Sequence, residues 1–97
     1  MKKKFASILM GGGYRAEHQA VFEVEDCDTY IYTVQDFEAA KELVKRLYTE
    51  GFGAVELCGA FGEEKARELI ALTEGKLAIG FSVHFPEQDD LFNCFFS

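Results

Sequence analysis

Thr29 to Gly62 reads TYIYTVQDFEAAKELVKRLYTEGFGAVELCGAFG, and the fold turns on this stretch. Thr29-Tyr30-Ile31-Tyr32-Thr33-Val34 is β-branched or aromatic throughout, the side-chain type that packs well on a pleated surface. Phe37, Ala40, Val44, Leu47 and Tyr48 then recur at helical spacing, and Thr33 with Asp36 forms a weak version of a capping box at the helix start. Gly51 supplies the stop. Glu38 with Lys41, and Glu42 with Lys45 or Arg46, set opposite charges on the outer face, each pair worth only ~0.2–0.5 kcal/mol. Ala54-Val55-Glu56-Leu57-Cys58 is short, apolar and flanked by Gly53 and Gly59, which argues for a second strand. Strand, helix and strand together make a βαβ unit, whose crossover is right-handed in nearly all proteins.

Toward the C-terminus, Gly62-Glu63-Glu64 opens another helix with acidic residues at the positive end of its dipole. Ala66, Leu69, Ile70 and Thr73 form its buried stripe, and Gly75 ends it. Leu77 to Phe85 reads as the last strand. Pro86 breaks any further ladder, and Leu91, Phe92, Phe95 and Phe96 fall at helical spacing in an apolar tail. Toward the N-terminus, Phe5 to Met10 is a continuous apolar run that suits a strand and stops at Gly11-Gly12-Gly13. Tyr14 to Gln19 is a polar connection, and Ala20 to Glu25 alternates with period two before the turn at Glu25-Asp26-Cys27-Asp28. That segment and Thr29–Val34 read as a hairpin. The expected architecture is α/β: a small open, mostly parallel sheet of four to five strands, ordered ββ then βαβαβ. Two main helices and a short C-terminal helical tail complete a truncated doubly wound domain spanning residues 1–97.

With 97 residues, 48% of them hydrophobic and 28% charged, the composition suits one compact domain and leaves no room for two. A formal charge of -7 opposes binding that depends on neutralising nucleic-acid phosphates or anionic lipid, so neither partner is expected. Met1-Lys2-Lys3-Lys4 followed by Phe5–Met10 imitates a secretory leader. Its apolar part is shorter than the ~7–15 residues such leaders carry. Cys27, Cys58 and Cys94 are odd in number and lack CxxC spacing, so neither a disulfide framework nor a metal site is signalled, and no cofactor either. Free thiols fit a reducing, cytoplasmic setting.

In open parallel sheets ligands bind beyond the carboxyl ends of the strands, where helix N-termini and loops converge. That edge is expected to carry Gly11, Gly12, Gly13, Arg15 and His18 from the first strand, Cys58, Gly59 and Gly62 from the βα junction, and His84 from the last strand. Gly59 and Gly62 suit either a backbone cradle for an anionic group or a tight βα turn; Glu63 and Glu64 oppose an anion. Cys58 is a candidate nucleophile with His84 as its base, or else a small buried hydrophobe. Glu56, a charge within a strand, is a pocket acid or one half of an ion pair. The expected function is a small-molecule-binding or enzymatic domain; the alternatives are a thiol enzyme using Cys58 and a non-catalytic homo-oligomer assembled through its phenylalanine tail or sheet edge.

The run Val55-Glu56-Leu57-Cys58-Gly59-Ala60-Phe61-Gly62 resembles the Ile-Glu-Leu-Cys-Gly-Gly-Phe-Gly string of domain of unknown function family 6506, whose members are bacterial proteins of roughly a hundred residues. Ala60 replaces the second glycine of that string. The resemblance implies a small cytosolic α/β domain with Glu56, Cys58, Gly59 and Gly62 as its signature, and it implies no catalytic assignment.

Overall fold

The computed structural model describes residues 2–97. Along the chain run β1 (Lys3–Met10), β2 (Ala20–Glu23), β3 (Cys27–Val34), α1 (Phe37–Thr49), β4 (Ala54–Leu57), α2 (Gly62–Leu72), β5 (Ala78–Phe81), a single 3-10 turn (Pro86–Gln88) and α3 (Asp89–Phe96). The strands form one five-stranded sheet in the order β2-β3-β1-β4-β5. β1 lies at its centre, parallel to β3 and β4, and β5 runs parallel to β4. β2 is antiparallel, pairing with β3 as the expected hairpin.

Chain direction across the sheet reverses at β1. The chain moves from β1 outward to β3, then α1 carries it back past β1 to β4, and α2 carries it on to β5. Two right-handed crossovers in the same direction put both helices on the same face. Burial shows this directly. Ala6, Ile8, Val34, Val55 and Leu57 are 0–7% exposed, and the register places them on one side of the sheet. They meet Ala40, Val44 and Leu47 of α1, Ala66 and Leu69 of α2, and Phe52, Phe61 and Leu77 from the connections. Each fully buried Leu or Ile contributes about 1.5–3 kcal/mol relative to exposure. The opposite face carries Phe5, Ser7, Leu9, Ile31, Glu56 and Gly80 and, among the described residues, has no helix over it; none of these reaches full burial.

Asp36, not Thr33, caps α1. The Ala39 N–H donates to the Asp36 carboxylate at 2.8 Å, whereas Thr33 still belongs to β3 and its hydroxyl donates to the His18 carbonyl at 2.7 Å. At the other end Gly51 adopts φ +89°, and the N–H groups of Gly51 and Phe52 return to the carbonyls of Tyr48 and Leu47. This Schellman closure needs a left-handed residue, which glycine provides without a Cβ penalty, and it drops Phe52 into the core. β5 is shorter than the Leu77–Phe85 run suggests. Its ladder partner, β4, ends at Leu57, so pairing stops at Phe81, and the Ser82 N–H makes one last bond to the Leu57 carbonyl. His84 therefore lies beyond the sheet.

Candidate functional site

The carboxyl end of β1 is the topological switch, because the connection leaving β1 turns the opposite way from those leaving its neighbours β3 and β4. Three short segments meet there. From β1 come Gly11-Gly12-Gly13 and the connection through Gln19; from β3 come Gln35 and Asp36 leading into α1; from β4 comes Cys58-Gly59-Ala60-Phe61 leading into α2. The Gly11 N–H binds the Val34 carbonyl, the Cys58 N–H binds the Ile8 carbonyl, and the Met10 N–H donates to the Cys58 sulfur at 3.4 Å.

The β1–β2 connection is fastened to β3. Besides the Thr33 bond to His18, the Gln35 side-chain amide donates to the Tyr14 carbonyl at 2.8 Å. The Arg15 N–H donates to His18 Nδ1 at 2.8 Å, which makes Nδ1 an acceptor and leaves the proton of the neutral ring on Nε2. Tyr14 meets the His18 ring edge-on at 6.0 Å between centroids. Between this connection and the first turn of α1 lies a hollow of about 330 Å³, lined by Tyr14, Arg15, Thr33, Gln35, Asp36 and Ala39 together with Ala16 and Val34. A second hollow of about 260 Å³ lies against Gly13, Tyr14 and His18, so Tyr14 borders both. Arg15 presents a cation, Asp36 a carboxylate and Gln35 an amide, with the positive end of the α1 dipole at the rim.

The sequence-derived candidates divide into three places. Gly13, Arg15 and His18 sit at the switch point with the hollows, and Gly11 and Gly12 lead into it. Cys58 is beside them, half-buried, its sulfur accepting the Met10 N–H and its side chain packed on the core. The junction it opens is a tight turn: the Phe61 N–H binds the Cys58 carbonyl, Phe61 is buried at 3% exposure, and Gly62 takes φ +76° to start α2. Gly62 thus serves chain geometry, whereas a Cβ at Gly59 would meet only the Ser82 carbonyl at 3.8 Å.

Glu56 lies elsewhere, exposed on the uncovered face of the sheet, with its carboxylate against the Gly80 backbone; a Cβ at position 80 would sit 2.9 Å from Glu56 Oε1. His84 lies farther out still. Its Nε2 is 2.7 Å from Asp89 Oδ1 and its ring stacks on Phe92 at 4.0 Å, both partners belonging to the C-terminal segment. Among the described residues no hydrogen bond joins Cys58, His84 and Glu56 to one another. Of the polar lining residues, Tyr14, Thr33, Gln35 and Asp36 were not placed at the site by sequence reasoning. For Asp36 a signal was present: it follows a strand and precedes a helix, the same type of junction that drew attention at Gly59 and Gly62. Among the described residues no group of three or more His, Cys, Asp or Glu side chains is placed to hold a metal ion, and no helix is long and apolar enough to cross a membrane.

The fold and its rim define a small single-sided α/β domain with a switch-point hollow. The chain matches the model of a family of unknown function (DUF6506) over residues 3–97, and it belongs to that family. No curated protein and no solved structure matches it.

Proposed function

We propose that the protein binds a small polar molecule in the hollow at the carboxyl end of β1 and β3. The observation that carries this reading is the convergence of Arg15, Gln35, Asp36 and the N-terminus of α1 around about 330 Å³ of space at the topological switch. That volume is at the low end of the range for small-molecule sites, which suits a metabolite. Arg15 supplies a charged fork for a carboxylate or phosphate, and the Asp36 and Gln35 side chains supply acceptors for hydroxyl or amine groups. The bonds from Thr33 and Gln35 to the β1–β2 connection hold the wall of the site in place before a ligand arrives.

The experiment is a screen of small carboxylates, phosphates and amino acids by two-dimensional amide NMR on the labelled protein. A ligand of this site shifts the amides of Tyr14, Arg15, Gln35 and Ala39 together, and Arg15→Ala weakens it at least ~10-fold, the loss of one charge-assisted hydrogen bond, while the melting temperature stays within ~2 °C. Ligands whose shifts map to another surface, or whose affinity is indifferent to Arg15→Ala, refute the proposal.

A further inference from the structure

Two apolar surfaces of this chain have nothing over them among the described residues. The first is the sheet face opposite α1 and α2, where Phe5, Leu9, Phe22 and Ile31 share one side of β1, β2 and β3. Phe22 is 58% exposed. Sheets that are mostly parallel are normally covered on both faces, and this one is short of one layer. The second is the C-terminal arm. Every residue from Ser82 to Ser97 is exposed, including Phe85 at 75%, Leu91 at 66%, Phe95 at 79% and Phe96 at 77%. The chain extends 44 Å along one axis against 27 and 24 Å along the others.

The arm is built as a unit. The His84 ring stacks on Phe92 within 6° of parallel and bonds to Asp89, so the extended link is clamped to α3. Pro86 begins the 3-10 turn between them and fixes its φ. An eight-residue helix is far too short to persist alone in water, and its apolar stripe needs a surface. Its own sheet is only a partial fit. Ser82, Val83, His84 and Phe85 span no more than ~14 Å, which reaches Phe5 and Leu9 on β1 but falls at or short of Ile31 and Phe22 on β3 and β2, roughly 14 and 19 Å from β5 across the strand order.

We propose that two copies of this chain exchange C-terminal arms, each α3 lying on the partner's uncovered sheet face. Each arm supplies the missing helical layer of the other subunit. A buried Phe contributes on the order of 150–250 Å². Reciprocal exchange of Leu91, Phe92, Phe95 and Phe96 therefore reaches the ~1,200–2,000 Å² of a stable interface. Glu87, Asp89 and Asp90 load the start of the arm with acid, which favours placing it at the amino end of the receiving face, by exposed Lys3, and away from Glu56 farther along the same face. A two-fold axis relates the contacts, so the assembly closes at two chains.

Light scattering on the full chain at micromolar concentration tests this, with twice the 10.9 kDa chain mass as the expected result. Phe95→Asp on the arm and Ile31→Asp on the face should each halve that mass. Phe95 is 79% exposed, so Phe95→Asp leaves the body folded, which its circular dichroism verifies. Mixing the two variants should restore part of the dimer, because one intact arm then meets one intact face. A monomeric wild-type chain, a dimer that survives both substitutions, species growing beyond two chains, or variants that fail to associate on mixing would each overturn the exchange. In a monomer, protease resistance of the arm would identify a fold-back onto its own sheet instead.

Discussion

Ile8 and Leu9 are sequence neighbours on the central strand and face opposite sides of the sheet, so truncating each in turn measures how one-sided the core is. Ile8 has no exposed surface; it pairs with Tyr32 and Leu57 beneath α1 and α2. Ile8→Ala leaves a cavity that the close-packed layer cannot collapse, at a cost of about 2–5 kcal/mol. Against a total of ~5–15 kcal/mol, that is a large share of the stability. Leu9 is half-buried by its strand neighbours alone, so Leu9→Ala costs only about 1 kcal/mol. Urea denaturation followed by far-UV circular dichroism reads both values, at concentrations low enough to separate the copies. Equal costs for the two substitutions under those conditions would refute the reasoning, since they would require a second apolar layer within the single chain. Raising the concentration should widen the effect of Leu9→Ala and leave that of Ile8→Ala unchanged, because only the Leu9 side receives the exchanged arm.

The two main helices end in the same Schellman geometry with different residues at its left-handed position, Gly51 at φ +89° and Glu74 at φ 55°. Gly51→Ala meets open space but a backbone that disfavours any Cβ, and should cost about 1 kcal/mol. Glu74→Gly removes the same penalty and should gain about 0.5–1 kcal/mol; thermal unfolding shows both, and a loss of stability in Glu74→Gly would contradict the assignment. Alkaline pH should weaken the fold. Burial pushes the Tyr32 phenol up despite the opposing charge of Arg46, a hydrogen bond to Asp28 raises Lys2, and one to Glu38 raises Lys41. In each case the folded chain keeps a proton that the unfolded chain releases above about pH 10, so stability is intact below that pH and falls as pH rises through the folded values. Urea midpoints at about pH 8, 10 and 11.5 give the trend, and Tyr32→Phe removes its tyrosine share; a midpoint that climbs in this range would reverse the sign.

Much of the architecture was legible because its signals are local. Phe37, Ala40, Val44 and Leu47 give α1 its stripe, Gly51 ends it, and the alternation from Ala20 with the β-branched run to Val34 gives the hairpin. Cap assignment at α1 slipped by a few residues, since Thr33 and Asp36 are both competent caps and only the length of β3 decides between them. Leu77–Phe85 looks uniformly strand-like, but a ladder is as long as its partner, and β4 is four residues long. For the same reason His84 could not be placed: its position depends on where pairing stops. Glu56 reads as a buried charge only if both faces of the sheet are covered, which depends on the direction of two crossovers and on β2 taking the place of a helix between β1 and β3. The switch-point loop with Arg15 and His18 was visible from its glycines, whereas Tyr14 and Gln35 line the hollow through tertiary bonds that no spacing encodes.

Placing β1 at the centre of the sheet also fixes an order of events on the ribosome. Ala6 must find Tyr30 on one side and Val55 on the other, so the first strand synthesised cannot complete its hydrogen bonds until β4 has been made. At ~5–20 residues per second that wait lasts roughly 3–10 s. For that interval the strand's apolar side chains and one row of amide and carbonyl groups face the solvent, and this nascent segment is where a holding chaperone has most to protect.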